Sequence, residues 1–413
     1  MNRSVYRRDN CRLCGSDNLE LVLPLTPTPV GDAYKPSDRL DQIEDTYPIE
    51  LFLCKNCGLA QLLDVVNPEI LYSEFIYETS ISLGLVEHFQ KYAGKVLSQV
   101  KPTQGSLVID IGSNDGTLLK FFQQQSMRVL GIEPAGNIAQ KATESGIQTL
   151  ATFFNADLAK KIKYEYGNAT IVTSNNTLAN IDDLANMIEG IRDLLAPDGI
   201  FVFETGYLID LVKHGIFDNI YHEHLSYFSV KPLVAFFRHH RMELINIEQI
   251  PTKGGSLRGI VQLDNGPRQI SQSVQEMLTL ETNQKADHPE FFHKFAARIS
   301  DVKTQILSLL GNLKQQGKTI AGYGASVGVT TLTYHFDIGE LLSFIVDDNP
   351  AKHNLFSPGY HTPVLSSSVI YDRKPDYIVI LAWRYAEPIM HKHQAYLQQG
   401  GHFILLWPEV QIK

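Results

Sequence analysis

Apolar and polar positions alternate in blocks through the middle of the chain. Val108-Ile109-Asp110-Ile111 runs straight into Gly112 and, after Ser113-Asn114-Asp115, into Gly116; Leu118-Leu119-Lys120-Phe121-Phe122 follows with helical character. A short apolar run, a glycine turn and an apolar helical stretch predict a buried strand that delivers the chain to a helix N-terminus. Similar apolar runs at 127–132, 147–151, 170–174 and 199–204 read as further strands beside 106–111. Helices are expected over about 115–125, 135–144 and 182–195. This alternation builds an α/β fold, a mainly parallel, doubly wound sheet with its ligand at the carboxyl ends of the strands.

The pattern changes on both sides of this block. Residues 1 to 68 carry short apolar runs at Leu19–Leu23 and Ile49–Leu53, with Pro24, Pro27 and Pro29 favouring an extended loop between them. Residues 69–100 look helical and include Tyr72, Phe75 and Tyr77. From 242 to 263 two strands flank Lys253-Gly254-Gly255-Ser256-Leu257-Arg258, and a long polar helical stretch covers roughly 267–316. The strand–helix rhythm then restarts at Lys318 to Ser326, Phe344 to Pro350, Tyr377 to Ala382 and Phe403 to Trp407. Three units are expected: 1–68, 69–245, and a second, Rossmann-like α/β domain over 246–413.

Length supports that division, because single cores rarely grow beyond about 250–300 residues and the chain has 413. No apolar run reaches the roughly 18 residues of a membrane span, and the first residues lack the apolar core of a secretory signal; a cytoplasmic protein with no membrane partner is the expectation. The formal net charge is −9 with no basic cluster, which argues against nucleic acid as a partner. The four cysteines are not scattered: Cys11-Arg-Leu-Cys14 and Cys54-Lys-Asn-Cys57 are each followed by glycine. Two such knuckles point four thiolates at one tetrahedral Zn²⁺ and leave no open position, so a structural zinc-binding module is expected. Redox pairing is the rival, disfavoured in a reducing compartment.

The glycine turn after 111 admits two ligand readings. A nicotinamide site uses G-x-G-x-x-G to bring a pyrophosphate against the helix. Here the spacing is G-x-x-x-G, with Asp110 and Asp115 close by. Carboxylates repel a pyrophosphate and suit the cationic S-adenosylmethionine. Glu133 ends the next strand, where an acid can accept both ribose hydroxyls. The strand ends also carry Asn175 and Asn176, and Phe154 follows the third strand, able either to stack on adenine or to fill the core. In the C-terminal unit the helix after Gly324 is a ready anion site, with Arg258 and Lys352 as candidate charges. Tyr221-His222-Glu223-His224-Leu225-Ser226-Tyr227-Phe228-Ser229 concentrates titratable groups after the strand ending at Glu204. His222 and His224 are too close for the helical H-E-x-x-H metal pattern. One of them acting as a base, its other nitrogen held by Glu223 or a backbone carbonyl, fits imidazole chemistry near neutral pH.

Taken together these runs are similar to the nucleotide-sugar C-methyltransferases of deoxysugar biosynthesis, especially those acting at position 3 of 4-keto sugars. The cofactor loop itself resembles the D-x-G-x-x-x-G signature of class I methyltransferases. The likeness covers nearly the whole chain and rests on the paired cysteine knuckles with Gly58-Leu59, Asp110-Ile-Gly112-Ser-Asn-Asp115-Gly116, Ser174-Asn175-Asn176 with Leu178-Ala179, Tyr221 to Ser229, Gly254 to Arg258, and Asp347-Asp348-Asn349-Pro350-Ala-Lys352. The resemblance implies a class I domain binding S-adenosylmethionine through Asp110, Gly112, Asp115, Gly116, Glu133, Phe154, Asn175 and Asn176. It implies His224 as general base, oriented by Glu223, with Tyr221 at the substrate and Tyr77 assisting. The sugar nucleotide, linked to either thymidine or guanosine diphosphate, would lie between the two Rossmann-like domains. Asn180, His222, Gly255, Ser256, Arg258, Tyr323, Ala325, Ser326, Asp347 and Lys352 would face it.

Two positions depart from the family pattern. Asn180 stands where relatives usually carry histidine; its amide can bond a ketone or enolate oxygen but supplies no charge. The C-terminal glycine turn reads Ala325-Ser326-Val327-Gly328 where relatives commonly have lysine, so nucleotide preference does not transfer. A zinc-ribbon methyltransferase acting on nucleic acid or another small molecule is the alternative, though Asn175-Asn176-Thr177-Leu178 replaces its N-P-P-Y. A non-catalytic scaffold is a third reading.

Overall fold

The computed structural model describes residues 4–72, 79–81, 84–407 and 409–413; Tyr77 lies outside them. Leu107–Ile111 is buried at every position and pairs in parallel with Arg128–Ile132 on one side and Ala169–Asn175 on the other. A strand buried on both faces needs apolar residues at successive positions, which is what the sequence supplies. Leu107, Ile109 and Ile111 enter one core with the helices Ala156–Tyr166 and Leu184–Leu194; Val108 enters the opposite core with Leu85–Val100 and Thr117–Gln123. Asp110 shares the Val108 face, as strand alternation requires.

The sheet has seven strands. Their order is Thr149–Leu150, Arg128–Ile132, Leu107–Ile111, Ala169–Asn175, Leu195–Gly206, Ser256–Leu263 and Met242–Ile250. The last two form an antiparallel hairpin, and Ser256–Leu263 pairs antiparallel with Leu195–Gly206. The expected boundary at 245/246 therefore cuts through a strand. Residues 246–263 belong to the central sheet, because Leu257 and Val261 bury in its core. The expected polar helix over 267–316 is two helices, Gln272–Gln284 and Pro289–Gln315. The first packs under the hairpin. The second buries Phe292, Phe295, Ile299, Val302, Ile306, Leu310 and Leu313 along one stripe.

The C-terminal sheet has six strands. They run Val364–Ser366, Ile345–Asp347, Ile320–Tyr323, Tyr377–Ile380, His402–Leu405 and Gln411–Ile412, parallel except for the last pair. Strand order reverses beside Ile320–Tyr323, where open α/β sheets open a crevice.

The N-terminal module is more continuous than expected. Leu19–Thr28 is one strand running through Pro24 and Pro27, bent by register shifts and paired with Tyr47–Cys54. It is an edge strand, where the missing proline N–H is tolerated. Tyr47–Cys54 pairs on its other side with Ala60–Leu62, and Ser226–Tyr227 from the central domain adds the fourth strand. Cys11, Leu13, Cys54 and Leu59 join the central-domain core, while Val22, Leu23, Ile49 and Leu51 join the core shared with Pro289–Gln315 and the C-terminal sheet. The small module is thereby wedged against both larger units. No described helix is long and apolar enough to cross a membrane.

Candidate active site and zinc centre

One cavity of about 1180 Å³ opens between the units. Its central-domain wall starts at the Gly112 turn. Gly112 holds φ +75° and its N–H donates to the Ile132 carbonyl at 2.8 Å; a Cβ there would collide with the Thr177 side chain. Asp110 accepts from Thr173 Oγ1 at 2.7 Å, and burial together with the nearby Glu133 charge pushes it up to about 7. Glu133 is fixed by two backbone donors, Asn114 N at 3.0 Å and Ala135 N at 2.9 Å. Phe154, Asn175, Asn176 and Asn180 line the same space. Asp115 and Gly116 do not: Asp115 accepts from Thr117 N, Thr117 Oγ1 and Ser80 N, and Gly116 stands at the helix cap. Among the cofactor-loop residues, these two build the turn and Asp110, Gly112 and Glu133 face the cavity.

The catalytic candidates sit opposite. His224 Nδ1 lies 3.0 Å from the Asn219 carbonyl, which fixes a proton on Nδ1 and leaves Nε2 as an acceptor. The Tyr221 hydroxyl is 3.1 Å from Nε2 and donates to it, the rings nearly overlapping with centroids 4.1 Å apart. Burial lowers the His224 pKa to about 4, so the ring is neutral. The expected Glu223–His224 contact is not formed among the described residues; the carbonyl takes that place. Glu223 instead faces the cavity beside Asp32, Lys253 and Lys352, and burial raises it to about 7.

Three expected substrate contacts are corrected. His222 is 1% exposed, packed edge-on to Tyr47 with Nε2 3.1 Å from the Tyr47 carbonyl. The chain turns at 222–223, the His224 N–H donating to the Tyr221 carbonyl at 2.9 Å, and the His222 ring packs into the zinc module while that of His224 packs on Tyr221. Arg258 pairs with Glu204, approaches His88 Nε2 and stacks 4.4 Å over Tyr92. Buried in that cluster, it is not among the residues that line the cavity. Tyr323 points into the C-terminal core, donating to Asp348 Oδ2 at 3.0 Å beside His393.

Gly255, Ser256, Ala325, Ser326, Asp347 and Lys352 do line the cavity. Asp347 is occupied by Ala325 N and Asn349 N at 2.6 and 2.7 Å, and Lys352 by Asp32 at 2.6 Å. The helix Val327–Phe336 points its N-terminus into the cavity, with Lys253 and Arg384 on the lining. Arg384 Nη1 donates to the Lys253 carbonyl at 3.1 Å across the units. Sequence reasoning missed Asp32, Asp218, Asn219, Trp383 and Arg384, which carry no local motif and meet only through the fold.

The cysteines converge as expected. Their Sγ atoms all lie within 4.8 Å of one another, with Cys11–Cys57 and Cys14–Cys54 at 3.6 Å. That spacing fits a tetrahedral tetrathiolate, in which Zn–S distances of about 2.3 Å put sulfurs about 3.8 Å apart.

Comparison with known proteins adds the chemistry. Family models match a zinc binding domain at residues 11–72, a methyltransferase domain at 86–244 and a C-methyltransferase C-terminal domain at 251–408. The C-methyltransferase NovU of Streptomyces niveus is 31% identical over 405 residues, covering 98% of this chain and 96% of that protein. The chain belongs to this C-methyltransferase family. It is an S-adenosylmethionine-dependent C-methyltransferase with a zinc-binding N-terminal module. Among solved structures, the magnesium protoporphyrin IX methyltransferase of Synechocystis PCC 6803 with bound S-adenosylhomocysteine is similar over 44% of this chain and 85% of its own, at 17% identity and TM-score 0.34. The PH0226 protein of Pyrococcus horikoshii OT3 is similar over 47% and 98%, at 13% identity and TM-score 0.37. The residues present fit the cofactor: an open glycine turn, a buried carboxylate at Asp110, and Glu133 held at the end of the neighbouring strand.

Proposed function

We propose that this C-methyltransferase acts on the carbon α to the ketone, sugar position 3, of a nucleotide-linked 4-keto-6-deoxyhexose through an enolate. The observation that carries the reading is His224 on the lining of the cavity shared by the Gly112 turn and the Ser326–Val327 helix N-terminus, its Nδ1 held by the Asn219 carbonyl and its Nε2 by the Tyr221 hydroxyl. S-adenosylmethionine, when bound, supplies an electrophilic methyl group on a sulfonium. His224 Nε2 takes the proton from the acidified C–H; the electron pair left on the substrate becomes the enolate. Substrate binding draws the Tyr221 O–H from Nε2 to the ketone oxygen, which frees the base and places a donor where negative charge develops. Asn180 offers a second hydrogen bond at that oxygen. Asp110, Gly112 and Glu133 would hold the cofactor, which would give its methyl group to the enolate carbon and leave as the neutral thioether S-adenosylhomocysteine; the neutral His224 is regenerated by proton loss to solvent. Ala325, Ser326, Lys253 and Arg384 hold the diphosphate, with the helix dipole adding to their charge.

The test is mass spectrometry of products from a panel of thymidine- and guanosine-diphosphate 4-keto sugars. One methyl gained on carbon, with solvent deuterium entering the same position in the absence of cofactor, is the expected result. A methyl found on oxygen, nitrogen or nucleic acid, or on none of these sugars, would sink the reading.

A further inference from the structure

Asp218 is buried, 4% exposed, yet lines the cavity. Its Oδ2 accepts from Trp383 Nε1 at 3.2 Å, a hydrogen bond that crosses from the C-terminal unit and fixes the plane of the carboxyl group. Its Oδ1 is enclosed and has no hydrogen-bond partner among the described residues. A buried oxygen left without a donor is strongly unfavourable, so such groups in functional sites are matched by what binds there. Thr205 Oγ1 and Ser226 Oγ are also unpartnered on this lining. A hydroxyl, however, turns to serve as donor or acceptor, while the free oxygen of a carboxylate accepts only.

Position narrows the partner. Asp218 immediately precedes Asn219, whose carbonyl holds His224. Its own carbonyl packs against Gly328, where any Cβ would collide with it, at the N-terminal turn of the helix Val327–Phe336. Asp218 therefore stands between the base and the anion-binding turn. Ligand spanning those two points is neither the reacting carbon nor the diphosphate but the ring that joins them. Burial raises the Asp218 pKa, and Arg384, the Trp383 N–H and the residue's own backbone N–H oppose that rise without cancelling it.

We propose that Asp218 is a specificity-determining residue that accepts a hydrogen bond from a hydroxyl or amino substituent on the sugar ring of the substrate. The proposal rests on the keto-sugar reading above. A congener with hydrogen at that ring carbon leaves Oδ1 unmatched, and sites built around a substrate hydroxyl reject such analogues strongly.

The unaltered, zinc-loaded enzyme is assayed with 4-keto-6-deoxyhexoses carried on thymidine and guanosine diphosphate, and with their 2-deoxy and 3-deoxy counterparts, beside Asp218→Leu and Asp218→Asn. The unaltered enzyme should favour a hydroxylated congener over its deoxy counterpart by about 10²-fold or more in kcat/KM. Asp218→Leu should shrink that ratio to below about 10, losing activity on the hydroxylated congener while nearly keeping it on the deoxy one. Affinity for S-adenosylmethionine should be unchanged in both variants. Should Asp218→Leu fail to bind the cofactor, Asp218→Asn carries the test: it keeps one acceptor oxygen, and the ratio should fall by about tenfold. Equal losses on every congener, an unchanged ratio, or a ratio that follows the nucleobase overturns the assignment of Asp218 alone. No methyl transfer and no deuterium exchange by the unaltered enzyme on any of these sugars overturns the keto-sugar reading itself.

Discussion

The proposed role of His224 as a base rests on three local facts. The Asn219 carbonyl chooses its tautomer, Tyr221 orders its free nitrogen, and burial keeps it neutral. His224→Ala should lower kcat by about 10²–10⁴-fold with cofactor affinity retained by calorimetry; a loss below about fivefold would remove it from proton transfer. The acidic limb of kcat/KM should fall well below the ordinary histidine value near 6.5, since the folded ring resists its proton until about pH 4. Tyr221→Phe should move that limb, and a limb remaining at 6.5 in the unaltered enzyme would contradict the buried, neutral ring. Arg258 belongs to a different account. Breaking its buried pair with Glu204 by Arg258→Met should destabilise the fold by about 3–5 kcal/mol, read by urea denaturation. KM for the sugar nucleotide should not change, whereas a phosphate ligand would raise it.

At the scale of elements, the short strand Ser226–Tyr227 connects zinc to chemistry. It completes the sheet of the zinc module through Gln61 and Ala60, and the Leu62 N–H donates to the Leu225 carbonyl at 3.0 Å. Arg12, inside the first cysteine knuckle, also reaches the carbonyls of Leu62 and Leu225 and pairs with Asp182 at 2.9 Å. The residue after His224 is thus held by the module that the metal folds. Removing zinc with a chelator, or Cys54→Ser, should lower kcat by about 10²-fold, the scale on which a displacement near 1 Å acts. The Gly112 turn lies on the central sheet and should keep its cofactor affinity. Equal loss of cofactor binding and turnover would show instead that the whole chain unfolds without the metal.

At the scale of the molecule, the cavity exists because three units share it. Lys352 of the C-terminal unit pairs with Asp32 of the zinc module and lies 4.1 Å over the Tyr34 ring. Thr331 Oγ1 donates to the Ile220 carbonyl beside the catalytic segment, and Thr330 Oγ1 to the Gly31 carbonyl. These contacts seat the helix Val327–Phe336 on the cavity that the Gly112 turn also lines. Arg384 bridges to the Lys253 carbonyl at the mouth. Arg384→Ala should raise KM for the nucleotide sugar by about tenfold, the worth of one charge-assisted hydrogen bond, with kcat nearly unchanged in steady-state kinetics. A fall in kcat at constant KM would move Arg384 from binding to the reaction itself.

The sequence alone determined what depends on near neighbours. The cysteine knuckles, the Gly112 turn and the buried strand before it were legible because metal spacing, left-handed backbone and apolar runs are local properties. The meeting of Tyr221 and His224, three residues apart, is likewise a local property. What the tertiary structure decided is which charges meet. Arg258 lies in a glycine-rich run that suggests phosphate, yet antiparallel pairing sets it opposite Glu204 in the central sheet. Glu223 adjoins His224 in the chain but points elsewhere, and a carbonyl five residues upstream of His224 takes its role. Asp32, Asp218 and Arg384 come from three separate regions with no shared pattern. Local spacing fixes which chemistry a segment can offer; burial and pairing over long sequence distances fix which of its groups reach the ligand.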